Sequence, residues 1–210
     1  MPFIPAEHHG KAVVMGLMAY AGPAADGEPA LAPFRNLATP LADMVQPMQY
    51  SGMFQEGDEE YRPTAATRTR YLDSFDEADA EMVLGAIEES TSPMAGIQLR
   101  TQGGAVARVP DDATAYAHRG RRIIANVVSV YQGPEDSPER EAWVSKVAAG
   151  LSGVVPGVYT GFLGDEGPDR VRDAYPGATW DRLARIKRRY DPTNLFRSNH
   201  NIPPAQITEG

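Results

Sequence analysis

The side chains that could do chemistry are few. The 210-residue sequence has no cysteine and only four histidines, His8, His9, His118 and His200. Without thiols there is no thiolate nucleophile, no thiolate metal site and no cysteinyl link to a cofactor. No serine stands in a Gly-x-Ser-x-Gly turn, so a hydrolase elbow has no support. Neither Gly-x-Gly-x-x-Gly nor a Walker A loop occurs, so no glycine-rich turn is offered to a pyrophosphate. The pair His8-His9 would point apart on a strand, and no spaced carboxylate completes a site around it, so no metal is expected. The acidic run Glu56, Asp58, Glu59 and Glu60 reads as a solvated turn rather than a cation site. What remains are phenols, guanidinium groups and amides, and with nine tyrosines and 17 arginines spacing alone singles out none of them. Each also has a plain structural use: a tyrosine packed at a strand end, a surface turn, and amides that cap turns.

The elements that must position these residues follow from hydrophobic period. Lys11 to Tyr20 is an apolar run with two adjacent valines and reads as a buried strand. Asp26 to Ala38 has helical spacing despite Pro29 and Pro33, and Leu41 to Met48 reads as a short strand. Arg68 to Phe75 alternates and reads as a strand, and Asp76 to Glu89 reads as a helix with an acidic first turn. Gly96 to Thr101, Ala113 to His118 and Arg121 to Gln132 read as strands, the last too β-branched for an easy helix. Ser137-Pro138 reads as a hydroxyl cap and first helical residue, with Trp143, Val144, Val147 and Leu151 as the buried stripe. Gly167 to Tyr175 and Thr179 to Tyr190 read as helices, the second stopped by Asp191-Pro192 and packing through Trp180, Leu183 and Tyr190. Several strands mixed with a few helices predict an α+β fold, a mainly antiparallel sheet covered by helices on one face, with a helical C-terminal segment.

Charge and hydropathy narrow the partners. The formal charge is −8, which repels phosphate backbones and anionic lipid, so neither nucleic acid nor a membrane is expected. No run reaches the ~18 apolar residues of a spanning helix. Ala19-Tyr20-Ala21 resembles a cleavage site, but the stretch before it carries Glu7 and a single lysine, Lys11, a poor leader. The expected location is cytoplasmic.

The run "RLARIKRRYDPTNLFRSNHNIPP", preceded by "VYTGFLGDEG" and "DAYPGATW", resembles the C-terminal segment of berberine-bridge-enzyme-like FAD-linked oxidoreductases. Upstream, "FIPAEHHGKAVVMGLMAYAG" and "GGAVARVPDDATAYAHR" resemble the substrate domain of that family. The resemblance implies a substrate-domain-like α+β region over 1–156 and a berberine-bridge-like segment over 157–210. It also implies FAD as cofactor, bound weakly or not at all by this chain alone. The family's N-terminal flavin-holding domain has no counterpart in these motifs, so a separate flavin-domain subunit is an expected partner, with a small-molecule substrate. The sheet face that would meet that domain makes a homodimer the default assembly.

By the same resemblance, Tyr159 is the candidate catalytic residue. It aligns with the tyrosine of a Tyr-x-Asn motif that faces the flavin and helps take the substrate's hydroxyl proton. Hydride loss from an alcohol carbon needs such a base, and a phenol needs a neighbouring charge to act as one. Gly161 stands where the family has Asn, removing an amide beside that tyrosine. Asn199 and Asn201 align with an Asn-x-Asn before Ile-Pro-Pro and are the candidate cofactor-binding residues; His200 replaces the commoner Gln. Arg119 is the candidate substrate-binding residue, placed to meet an anion. The reading is the substrate-binding and C-terminal part of an FAD-linked oxidase acting on an alcohol or amine carbon, inactive in redox chemistry without its flavin domain. The alternatives are a stand-alone small-molecule-binding protein and a cofactor-independent, cyclase-like biosynthetic enzyme on the same fold.

Overall fold

The β-branched run near residue 127 is the spine of a four-stranded sheet. In the computed structural model, which describes residues 4–53, 64–164 and 166–206, this strand is β3, Ile123–Tyr131. β1 (Thr64–Leu72) and β2 (Ala95–Thr101) flank it, and the two-residue β4 (Val154–Val155) adds to β1. The order is β2-β3-β1-β4 and every pairing is antiparallel. Thr69 and Gln98 both stand opposite Asn126, and Tyr71 and Arg100 both stand opposite Ile124. Side chains alternate along a strand, so these rows share one face. The other face carries Ala66, Leu72, Ala125, Val127 and Ile97.

That second face is the core. α2 (Glu77–Glu88) and α3 (Ser137–Gly150) lie across it, adding Val83, Val144, Val147, Ala148 and Leu151. Trp143 Nε1 donates to Ala86 O at 3.0 Å, joining the two helices. Each buried Val or Leu contributes about 1.5–3 kcal/mol, so this face holds the sheet together and leaves the opposite one free for polar groups. α2 begins with a reciprocal cap. Asp79 N donates to Asp76 Oδ1 at 3.0 Å, and Asp76 N donates back to Asp79 Oδ2 at 3.3 Å. Asp79 also accepts from the N and Oγ of Ser152, each at 2.9 Å, which ties the start of α2 to the turn before β4. Burial pushes the Asp79 carboxyl up, but the hydrogen bonds from Ser152 and Asp76 outweigh it and hold the group below its ordinary value.

Smaller differences from expectation have local causes. β1 starts at Thr64, not Arg68, because β3 is long enough to pair it through Tyr131. Asp136, not Ser137, stands at the cap of α3, and Pro138 sits in its first turn. Ala113 to His118 is a set of bends rather than a strand. Its Arg119 holds the loop instead, donating from N to Asp111 Oδ1 at 3.1 Å and from Nη2 to Thr114 Oγ1 at 2.8 Å. Before Tyr71, β1 has no paired strand on its β4 side among the described residues, although Arg170 Nη2 donates to Thr69 O at 3.3 Å. There the arginines cover the strand's own carbonyls: Arg68 Nη1 donates to Thr67 O at 2.8 Å, and Arg70 Nη1 to Thr69 O at 2.9 Å.

Two short helices follow β4, α4 (Pro168–Ala174) and α5 (Ala178–Tyr190). Val158, Leu163, Val171 and Ala174 form a small second core with Tyr175 and Trp180. Tyr190, expected in that stripe, is instead 74% exposed, its ring beneath the Arg189 guanidinium. The Asp191 carboxylate closes α5, accepting from the backbone N of Leu195 at 2.8 Å and Phe196 at 3.0 Å and pairing with Lys187. These strands and helices belong to a compact unit, Pro63–Gly210, which runs across residue 157.

The other compact unit is Met1–Arg62. It holds α1 (Ala24–Arg35), with Pro29 and Pro33 inside the helix and Arg35 bonded to Asp43 at 2.7 Å and Glu28 at 2.8 Å. Lys11 to Tyr20 is not a buried strand: no strand pairs with it among the described residues, and Val14 is 91% exposed. Leu41 to Met48 is likewise irregular. An apolar run becomes a strand only where another backbone takes its N–H and C=O groups. The acidic run, Glu56 to Glu60, lies outside the described residues.

Asp79→Ala removes half of the cap and both Ser152 bonds, and is expected to cost about 2–3 kcal/mol in urea unfolding. Because the folded Asp79 is held below the ordinary carboxyl value of about 3.9, its contribution is complete above that pH. It is lost as pH falls through the lower folded value, so the gap between wild type and variant should close in acid. A gap of constant size down to about pH 2 would refute this role.

Candidate functional site

The polar sheet face meets the C-terminal segment through one buried hydroxyl. Thr69, fully buried, places Oγ1 3.0 Å from Phe162 O and 3.2 Å from Asn126 Oδ1. A hydroxyl carries one proton and cannot serve two acceptors at once. Both contacts are satisfied together when the Asn126 amide turns its N–H2 toward Thr69, since amide oxygen and nitrogen are interchangeable in shape. The contact sets the 3₁₀ turn Thr160–Phe162 against the sheet, and Tyr159 immediately precedes that turn.

Tyr159 is half-buried and held by two rings. Phe162 lies 5.3 Å away at 72°, and Tyr116 lies 5.9 Å away at 89°, both edge-on arrangements. Gly161 makes the pose affordable in space: a Cβ there would fall 2.5 Å from Tyr159 Cε1 and 3.1 Å from its hydroxyl oxygen. The missing amide at 161 is therefore matched by a tyrosine turned back over that position. Tyr159's hydroxyl makes no hydrogen bond among the described residues, while its neighbours form a chain. Tyr71 OH donates to Tyr116 OH at 3.2 Å, and Tyr116 OH donates to Gln102 Oε1. Burial, then the bond to Tyr116, raises the Tyr71 phenol far above its ordinary value, so it stays protonated. A cavity of ≈ 180 Å³ opens beside Tyr159, lined by Tyr116, Thr160 and Tyr175 among others.

His118 fixes the floor of this cluster. It packs on Tyr71 at 4.9 Å and its Nε2 donates to Asp173 O at 2.9 Å. Burial lowers its imidazole below the ordinary value, which keeps it neutral. Gly157, at φ +121°, passes so close that a Cβ would sit 2.5 Å from the His118 ring.

Arg119 lies at the rim, stacked over Tyr116 at 5.4 Å, with its guanidinium engaged by the loop described above. The tail returns to the site through His200, whose Nε2 donates to Leu163 O at 3.1 Å. This brings Asn199 and Asn201 beside the 160–163 segment. Asn199 is exposed with φ +58°, whereas Asn201 holds its Oδ1 buried with no partner among the described residues. The structure thus brings Tyr159 and Arg119 against the same ring, Tyr116, and ties the tail to the 160–163 segment through His200, with no contact between Asn199 or Asn201 and Tyr159 among the described residues. Gln98, Arg100, Gln102, Tyr116 and Phe162 join them unannounced. Their signal was the polar alternation Gln98-x-Arg100-x-Gln102. No group of three or more metal-ligating side chains is present among the described residues, and no helix there is long and apolar enough to cross a membrane.

Residues 158–203, which carry Tyr159 and both tail amides, match the family model Berberine and berberine like. The chain matches part of a berberine-bridge-enzyme-like FAD-linked oxidoreductase. It is 30% identical over 120 residues to the uncharacterized FAD-linked oxidoreductase YvdP of Bacillus subtilis, covering 57% of this chain and 27% of that protein. It is 32% identical over 111 residues to a xylooligosaccharide oxidase of Thermothelomyces thermophilus, covering 49% of this chain and 22% of that protein. It thus spans about a quarter of the length of these relatives. The fold matches that of berberine bridge enzyme from Eschscholzia californica at a TM-score of 0.59 and 20% identity, covering 71% of this chain and 34% of that one. A glycopeptide hexose oxidase matches at the same TM-score, 0.59, with 22% identity over 70% of this chain and 34% of that one. The α+β architecture is that of the berberine-bridge-like fold.

Gly161→Ala is expected to leave stability within about 1 kcal/mol, because the displaced group is the free end of a side chain. The Tyr159 ring, however, must leave its contacts with Phe162 and Tyr116, changing the near-ultraviolet circular dichroism. An unaltered aromatic spectrum would show that Tyr159 does not occupy the space at 161.

Proposed function

We propose that the chain forms the substrate-facing part of an FAD-linked oxidase that oxidises an alcohol or amine carbon, with a separate flavin-holding subunit as partner. The observation that carries this reading is Tyr159 itself: a ring clamped by Phe162 and Tyr116, a hydroxyl without a partner, and a cavity beside it. A phenol that only filled a core would bury its hydroxyl against an acceptor. The relatives named as FAD-linked oxidoreductases and as sugar oxidases support the same chemistry.

The fit to a flavin is partial and specific. Asn201 Oδ1 is a buried acceptor without a donor among the described residues, a costly arrangement that a ring N–H of the flavin would relieve. Asn199 and Asn201 would hold the edge of the ring system. No glycine-rich phosphate turn exists in the sequence, so the rest of the cofactor belongs to the partner. When bound, FAD supplies the hydride acceptor. Tyr159, in its phenolate form, would take the proton of the substrate's O–H or N–H group and become the phenol, and Tyr116 and Phe162 would keep its oxygen in place during that transfer.

In the flavin-loaded complex, Tyr159→Phe should lower kcat by about 10²–10⁴ while leaving KM and the melting temperature nearly unchanged. Steady-state rates with an unchanged kcat would remove Tyr159 from the reaction. Asn201→Leu separates a structural amide from a cofactor contact. In the isolated chain it should be neutral or stabilising by about 1 kcal/mol, because it deletes an unsatisfied acceptor. In the complex it should weaken flavin retention on gel filtration. A destabilised isolated chain with undiminished retention would overturn the flavin-edge role.

A further inference from the structure

Two guanidinium groups stand beside Tyr159 without an acid. Arg100, on the polar face of β2, stacks over Phe162 with Cζ 4.3 Å from the ring centre, and Arg119 stacks over Tyr116 at 5.4 Å. Phe162 and Tyr116 are the two rings that clamp Tyr159. The sequence holds 28 acids against 20 bases, so acids are plentiful. They pair with other arginines: Arg68 with Glu141, Arg70 and Arg170 with Glu166, Arg140 with Glu139. Among the described residues neither Arg100 nor Arg119 has an ion pair.

The two are not equivalent. Arg119 already donates to Thr114 and lies against its own loop. Arg100 is exposed, and its single side-chain hydrogen bond among the described residues runs from Nη2 to Gln98 Oε1 at 3.2 Å. Gln98 is neutral, so it orients the group without discharging it. A guanidinium laid flat on a ring keeps its N–H edge free, and that planar fork matches a carboxylate. An ordinary surface arginine is solvated and mobile, whereas this one rests over Phe162, donates to Gln98 and lies one ring away from the Tyr159 phenol.

We infer that Arg100 selects the substrate, which is an alcohol bearing a carboxylate about one sugar ring from the carbon to be oxidised, with Arg119 adding positive field at the rim. The position of the reacting carbon rests on the oxidase reading; the carboxylate contact does not, because binding needs no electron transfer.

Calorimetric titration of the full chain, without flavin and at low salt, compares D-glucuronate with its uncharged methyl ester. The acid should bind about tenfold more tightly than the ester, and the margin should shrink as salt screens it. Arg100→Gln, at an exposed position that leaves the core intact, should erase the margin. Arg100→Lys should keep part of it, retaining charge without the fork. Tyr159→Phe should not change it. Equal affinity for acid and ester, no measurable binding of the acid, or a margin that survives in Arg100→Gln overturns the inference. An Arg100-dependent margin in a chain whose flavin-loaded complex oxidises nothing would sink the oxidase reading and leave the carboxylate contact standing.

Discussion

The Thr69 hydroxyl is the contact on which the site depends. It sits on β1, wholly removed from water, and donates to Phe162 O, a carbonyl of the 160–162 turn. Buried polar groups without partners cost about 1–3 kcal/mol each. Removing this hydroxyl would therefore strand both Phe162 O and the Asn126 amide at a buried position. The Tyr159 hydroxyl has no hydrogen bond among the described residues to fix it. Its location is inherited from the turn, and the turn's location is inherited from Thr69.

The two faces of the sheet divide the labour. One is filled by α2 and α3 and supplies the apolar burial. The other exchanges that burial for hydroxyls, amides and a guanidinium, which cannot stabilise a core but can meet a ligand. Such a division is open to an antiparallel sheet, whose strands need only one buried face. The rings at positions 71, 116, 159 and 162 line the boundary between these roles. They add apolar area, while the hydroxyls of Tyr71 and Tyr116 face one another rather than solvent.

Much of this was legible from period alone. β3 is rich in β-branched residues and has one identity as a strand. α2 carries its cap, its acidic first turn and its apolar face in contiguous residues. The readings that failed lacked a long-range partner that local pattern cannot supply. Lys11 to Tyr20 has strand composition but no strand to pair with among the described residues, and Ala113 to His118 is bent by the Arg119 contacts. β4 is too short to leave a pattern. In the site, the resemblance drew attention to Tyr159, Arg119 and the tail amides. It was silent on Arg100, Gln98 and Tyr116, because their meeting depends on the cross-strand register and on a loop's return. Gly161 read as a loss in sequence; in space it is the vacancy into which Tyr159 turns.

The covering of β1 by its own arginines has a consequence for molecules in a crowd. A strand with bare carbonyls along its rim can accept another extended chain, and repeated acceptance is how soluble sheets become fibrils. On β1 the carbonyls of Thr67 and Thr69 are already occupied by guanidinium groups carried on the same strand. An incoming strand would have to displace them, and with them the ion pairs that Arg68 and Arg70 make with Glu141 and Glu166. The rim is thereby closed to growth by side chains that cannot diffuse away, and solubility is written into the same residues that finish the sheet.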